Sequence, residues 1–429
     1  KTLELSFCDL VFASELAGLN NLVLSDTGRG KTQLMTDIAW HHFGGDQENG
    51  NANWADGRPN FDITDLFERQ YADLSSGRFD SDSTRQLKEE KIRRLFFAVD
   101  EINRAPNPKQ NEFFDLADGK YTFNGQRFNL GRDNYNLFMA TANLNKVNGD
   151  YSGIFELDRA LLNRAHLTLD LDHKDFRPTA EDEMIIEERK ANPRVDLPPP
   201  QDLSEAIIAV NKEIRGTAKG LDPHFTAFRY LIGRALDYCA RDAYGDKGAF
   251  PMLCSDCNVK DANPNFDNSL CSLIKGSSER TLTAVKALAY SLSYIAELKT
   301  GKNVEIDPFD AALQAFRFTT YHGNLNDIVA QEDYGERKQA MMDAAVEKLS
   351  ERVDIFKAYI PMITEGKEPV ALIYSLNGKE YRTARTEELV NQLKSKRIPY
   401  KEIDLKTELK DKGIGIDWID AYVRKFGRK

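Results

Sequence analysis

Over the first 190 residues, short apolar runs alternate with longer stretches of helical periodicity. Leu22-Val23-Leu24 runs into Ser-Asp-Thr-Gly-Arg-Gly, the pattern of a buried strand entering a tight turn. Thr32–His42 follows, with Leu34, Ile38 and Trp40 among its apolar positions, and predicts a helix. Leu95-Phe96-Phe97-Ala98-Val99 predicts a second buried strand, 136–141 a third and 167–171 a fourth. Residues 43–60, rich in Gly, Asn and Asp, read as a loop. Residues 61–90 are mixed and polar, with a helical end at 85–94, and 107–118 reads as helix. Tyr121 to Phe128 alternates around Asn124-Gly125, a hairpin signal. Strands separated by helices predict a parallel α/β sheet.

The pattern shifts at 192–202, where Leu197-Pro198-Pro199-Pro200 reads as a linker. From 203 to 350 it is helical, with Ala284, Leu288, Leu292 and Ile295 forming one apolar stripe. Near 365 it changes again. Val370–Leu376, Asn377-Gly378 and Glu380–Thr383 read as a hairpin, followed by a helix at 386–396, a strand at 400–405 and a final helix. The expected organisation is an α/β core at 1–190, a helical lid at 200–350 with a cysteine-bearing insert at 239–271, and a small C-terminal α/β domain at 366–429.

Composition narrows the classes. The 429 residues are 41% hydrophobic and 29% charged, which excludes global disorder, and the net charge of −10 argues against a globally basic nucleic-acid binder. No stretch approaches the roughly 18 apolar residues of a membrane span. Five cysteines in a chain this long do not make a secreted disulfide framework, so a cytoplasmic setting is expected.

The first chemistry-bearing segment is Ser25-Asp26-Thr27-Gly28-Arg29-Gly30-Lys31-Thr32, followed by Gln33, between a strand and a helix. Glycines let backbone N–H groups curl around phosphates, and the helix N-terminus favours their charge. Lys31 is placed to reach β- and γ-phosphates and Thr32 to ligate Mg²⁺. Ser25 stands where the phosphate-loop consensus has Gly. The strand at 95–99 ends in Asp100-Glu101; in such a site the first acid holds Mg²⁺ and the second orients an attacking water.

Asp100-Glu101-Ile102-Asn103-Arg104-Ala105-Pro106 resembles the Walker B signature of MoxR-type AAA+ ATPases, in the helix-2-insert branch. The resemblance continues in order over 20–330. The 121–128 hairpin sits where that family has its pre-sensor-1 hairpin. Met139-Ala140-Thr141-Ala142-Asn143 resembles the sensor 1 strand, with Asn143 as the polar sensor. Leu157-Asp158-Arg159-Ala160-Leu161-Leu162-Asn163-Arg164 resembles the segment ending in the arginine finger, which implies Arg164, with Arg159 as its rival. Gly276-Ser277-Ser278-Glu279-Arg280 resembles sensor 2, which implies a phosphate contact by Arg280.

The resemblance implies ATP and Mg²⁺ as cofactors and hydrolysis at the interfaces of a homo-oligomeric ring, hexameric in similar proteins. Remodelling or assembly of a protein client is the implied task, with a von Willebrand factor A domain protein as a candidate partner. Two alternatives remain open. One is a DNA-translocating, helicase-like motor, to which Lys120, Arg127 and Lys146 near the hairpin would lend phosphate contacts. The other is a nucleotide-gated scaffold with little turnover. Separately, Cys254-Ser255-Asp256-Cys257, with Cys239 upstream and Cys271 downstream, offers four thiolates for structural Zn²⁺, against readings as buried thiols, a disulfide or an iron–sulfur site.

Overall fold

The computed structural model describes residues 6–26, 28–45, 50–70, 85–143, 155–173, 176, 179–188, 199–218, 225, 228–229, 232, 270–274, 276–301, 307–319, 324–335, 337–357, 370–376, 379–381 and 401–404. The chain divides into two compact units. One comprises Lys1–Gly220, Ala284–Glu305 and Tyr321–Gly323, and the other Leu221–Thr283, Ile306–Thr320 and Asn324–Lys429.

The strands of the first unit are β1 (Asn21–Ser25), β2 (Ala52–Asp56), β3 (Glu68–Gln70), β4 (Arg85–Leu87), β5 (Phe96–Asp100), β6 (Lys120–Phe123), β7 (Gln126–Asn129), β8 (Leu137–Asn143) and β9 (Leu167–Asp170). Five of them form one parallel sheet in the order β2-β5-β8-β1-β9. A parallel sheet covered on both faces needs strands that are apolar throughout. β1 and β8 are buried at every position, and β5 at all but its last. β8 lies between β1 and β5, with Ser25 level with Asn143 and Val99 level with Ala140. The ends of these three strands therefore meet along one carboxyl edge, where ligands of open α/β sheets bind.

The sheet is the parallel α/β architecture expected, with local differences. The stretch 43–60, expected as loop, contains β2. Ala-Asn-Trp-Ala-Asp carries little strand propensity, and pairing along the whole length of β5 makes it a strand. The helical reading at 85–94 resolves into β4 and a short helix Glu89–Ile92, and 107–118 into Asn107–Gln110 and Glu112–Ala117. β6 and β7 form the expected hairpin. Asn124 (φ 47°) and Gly125 (φ 76°) take the left-handed pair of angles that a two-residue turn needs.

Helix Phe7–Ala17 starts with a reciprocal capping box between Ser6 and Asp9, and it packs on helix Ser204–Ala218, whose Asn211 donates to the Leu16 carbonyl at 2.8 Å. Phe113 and Leu116 join Leu22, Leu24, Val99, Phe138 and Ala140 in one buried cluster that fixes the Glu112–Ala117 helix against the sheet.

In the second unit, helix Pro308–Thr319 packs on helix Lys338–Lys357, and Phe228 meets Phe316 edge-on at 5.9 Å. Strand β10 (Val370–Leu376) pairs antiparallel with β11 (Lys379–Tyr381), as the hairpin reading expects, and parallel with β12 (Lys401–Asp404). The helices expected at 386–396 and at the C-terminus lie outside the described residues. No helix among the described residues is long and apolar enough to cross a membrane.

Candidate functional site

Ser25 ends β1 fully buried, and the chain turns outward through Gly28 (φ 77°) and Gly30 (φ 79°). A Cβ at either glycine would meet nothing within 4 Å, so the backbone angles demand glycine there rather than crowding. Gly30 caps helix Lys31–His42 and no side chain bonds to that cap, which leaves the first turn's amides open to an anion. Thr27 lies outside the described residues. Asp26, Arg29 and Gln33 lie around this loop: the Asp26 amide donates to Asp172 Oδ2 at 3.0 Å, Arg29 Nε lies 3.3 Å from Asp172 Oδ1, and Gln33 bonds Asp37 one turn on.

Lys31 is buried and folds back on the loop. Its Nζ donates to Ser25 O (3.0 Å), Ser25 Oγ (2.9 Å) and Asp26 O (2.8 Å). Burial lowers its pKa below the ordinary lysine value, opposed by the carboxylates of Asp100, Asp172, Glu101 and Asp26. The consensus glycine at position 25 would lack the hydroxyl that holds the ammonium here.

The acidic pair stands beside this loop. Thr32 Oγ1 donates to Asp100 Oδ2 at 2.8 Å, and Thr141 Oγ1 to Asp100 Oδ1 at 2.5 Å. A hydroxyl and a carboxylate in contact make the hard-oxygen pair that Mg²⁺ selects, so the residues fit that ion. Thr141 also accepts from the Glu101 amide at 2.8 Å. Glu101 takes left-handed angles (φ 49°, ψ 47°), uncommon for a residue with a side chain and a place where functional sites store strain. Asn143 Nδ2 donates to Glu101 Oε1 at 3.1 Å, and Arg104 Nε lies 2.9 Å from Oε2.

Three residues of this site have parts that the motifs do not assign, two of them inside a motif. Thr141 ties both acids to β8. Asn103, buried, donates to the Asn143 carbonyl at 2.8 Å and accepts from its amide at 3.3 Å, locking β8 to the turn after β5. Gly57, just past β2, lies against Glu101: a Cβ there would stand 2.2 Å from the Glu101 carbonyl oxygen. Only the small residue permits this approach, and the signal for it, one glycine in a polar stretch, is too weak to find without the β2–β5 pairing.

Arg164 follows the short helix Arg159–Leu162 and pairs with Asp118, and Arg159 at the start of that helix is exposed. Arg280 lies near the start of helix Glu279–Thr300, in the second unit. Cys239, Cys254 and Cys257 lie outside the described residues, and Cys271 is described only as backbone of the short helix Leu270–Leu273. Among the described residues no group of three or more metal-ligating side chains gathers.

No protein-family model matches the chain. No curated protein matches it by sequence. Its fold is similar to that of a solved structure, a provisionally assigned ATPase from Cytophaga hutchinsonii. The TM-score is 0.52 at 15% identity, over 80% of this chain and 88% of that one. The chain thus shares a mixed α/β fold with that protein, and its own is built on a five-stranded parallel sheet.

Proposed function

We propose that this chain hydrolyses ATP, and that it does so as a MoxR-like AAA+ ATPase working at the interfaces of a ring to remodel or assemble a protein client. The observation that carries the hydrolytic reading is the meeting of Lys31, the Thr32–Asp100 pair and the Glu101–Asn143 pair at the carboxyl edge of three adjacent strands. The likeness in fold to the Cytophaga hutchinsonii protein is in keeping with it.

The chain's own groups suggest the order of events. A triphosphate offers Lys31 anionic acceptors stronger than the neutral oxygens of Ser25 and Asp26 that it holds now. The amides at the start of helix Lys31–His42, with Gly28 and Gly30 giving them room, bind the same phosphates. Thr32 and Asp100 would hold Mg²⁺, which neutralises charge on the β- and γ-oxygens when bound. Glu101 then takes the proton of the attacking water, with Asn143 keeping its carboxylate turned toward the γ-phosphate. Arg164 of a neighbouring subunit stabilises charge on the transferring group, in this reading, and Arg280 adds a phosphate contact.

The client-remodelling part rests on the sequence resemblance, whereas zinc at Cys239, Cys254, Cys257 and Cys271 rests on their spacing alone. The test is steady-state ATPase of the wild type and Lys31→Ala, each with and without single-stranded DNA. Turnover that needs Lys31 and ignores DNA is the expected result. Turnover stimulated by DNA replaces the client reading with the translocating motor. Equal, negligible turnover in both proteins, with ATP still bound by the wild type, replaces hydrolysis with the scaffold reading.

A further inference from the structure

Arg164 does not hang free from its helix. Its Nε donates to Asp118 Oδ1 and its Nη2 to Asp118 Oδ2, both at 3.0 Å, and its Nη1 donates to the Ala160 carbonyl at 3.0 Å. The guanidinium carbon sits 4.7 Å from the centre of the Phe114 ring. Both charged side chains are partly exposed, Arg164 at 22% and Asp118 at 28%. A guanidinium has five N–H groups and three are spent here, so two remain, on Nη1 and Nη2. Asp118 grips the side-on edge through Nε, which leaves donors on the atoms that form the end-on edge, a fork that suits the oxygens of a phosphate.

Asp118 is itself well fixed. It closes helix Glu112–Ala117, its amide donating to the Phe114 carbonyl at 2.8 Å, and Gly119 (φ 65°) then turns the chain into β6. Phe114, under the guanidinium, comes from the same helix.

We propose that Asp118, with Phe114 beneath the guanidinium, is the positioning residue of the arginine finger: it presets the plane of Arg164 so that the end-on edge meets the neighbouring subunit's nucleotide without reorientation. The proposal rests on the reading of Arg164 as a finger that acts in trans. An arginine held in one plane loses less freedom on binding than one that must be ordered by its target.

Three variants test it: Asp118→Asn, Arg164→Ala and Glu101→Gln, alone and mixed. Asp118→Asn keeps the shape and loses the charge. We expect it to lower kcat on the order of tenfold or more, through a finger out of line, with KM for ATP and the melting temperature little changed. Arg164→Ala should lose on the order of 10³-fold, and Asp118→Asn added to it should cost nothing further. Mixing supplies the readout that a merely structural role would not move. Asp118→Asn subunits have a sound nucleotide site and Glu101→Gln subunits a sound finger, so mixed rings should turn over faster than the average of the two unmixed variants. Full kcat in Asp118→Asn, or a loss that mixing fails to restore while Arg164→Ala is restored, overturns the positioning role. An Arg164→Ala protein that stays active, or that mixing does not restore, overturns the finger reading itself.

Discussion

Replacing Gly57 with alanine adds one methyl group at the point where the chain after β2 lies on the backbone of Glu101. The added carbon would sit 2.2 Å from the Glu101 carbonyl oxygen and 2.7 Å from both the Glu101 carbonyl carbon and Ile102 Cα. All three neighbours are backbone, so no side chain can swing aside. Restoring ordinary contact means moving one segment by about 1 Å, and overpacking of this kind costs about 1–3 kcal/mol. β2 is pinned along β5, and the Gly57 amide donates to the Asp100 carbonyl at 2.7 Å, so the displacement falls on the turn that holds Glu101. That turn already carries left-handed angles, a strain of about 1–3 kcal/mol, and has little reserve. A shift of about 1 Å in a catalytic group costs about a hundredfold in rate. Turnover at saturating ATP should therefore fall about a hundredfold in Gly57→Ala. Nucleotide affinity, which in the proposed reading depends on Lys31 and the amides after Gly30, should stay within about threefold, and the melting point should drop by several degrees. A kcat within about twofold of wild type, in a protein that folds, would refute the reasoning, because the carboxylate would then tolerate the displacement.

Other substitutions probe neighbouring parts of the molecule. Ser25→Gly removes one of the three acceptors that Lys31 must release, so ATP should bind about fivefold tighter, equivalent to about 1 kcal/mol; unchanged or weaker binding in a nucleotide titration would show that the hydroxyl does not restrain the lysine. The pair His42 Nδ1–Glu15 Oε2, at 2.6 Å, predicts a dependence on pH. Burial disfavours the charged form of His42, but the hydrogen bond and charge of Glu15 outweigh it and raise its pKa; burial likewise raises that of Glu15. Both groups hold protons more tightly in the folded chain, so their stabilisation is full below the unfolded values, about 4.3 for the acid and 6.5 for the imidazole, and is lost as pH rises through the folded ones. Urea midpoints should fall between about pH 6 and 8 more steeply in the wild type than in Glu15→Gln, and equal slopes would contradict the linkage. Metal analysis of the purified protein should find about one zinc per chain if the four cysteines form the site expected from their spacing; a folded, metal-free protein removes it.

The candidate motifs, each a short run of residues, are legible in the sequence. The phosphate loop, the acidic pair and the strand ending at Asn143 each join an apolar run to a motif, and the fold brings their ends together. Position across the sheet is not written in such runs. β2 went unread because Ala-Asn-Trp-Ala-Asp owes its strand form to β5, and without β2 the crowding of Gly57 on Glu101 has no sequence counterpart. The pairing of Asn103 with Asn143 spans 40 residues, and that of Arg164 with Asp118 spans 46. Neither is implied by the motif that contains its members. The motif leaves Arg164 and Arg159 as the arginines to suspect, while only the packed helix shows what grips Arg164.

The hairpin of β6 and β7 grows from the residue next to Asp118. Gly119 is its root, and the Leu130 amide closes the base by donating to the Gly119 carbonyl at 2.9 Å. Beyond that base, Lys120 and Arg127 belong to the two arms. One arm of the hairpin thus leaves directly from the residue that grips Arg164, while the other leads to Gly131, whose amide donates to the Ile92 carbonyl at 2.8 Å. If Arg164 acts as proposed, the hairpin and the arginine's grip share one short stretch of chain, Asp118–Gly119.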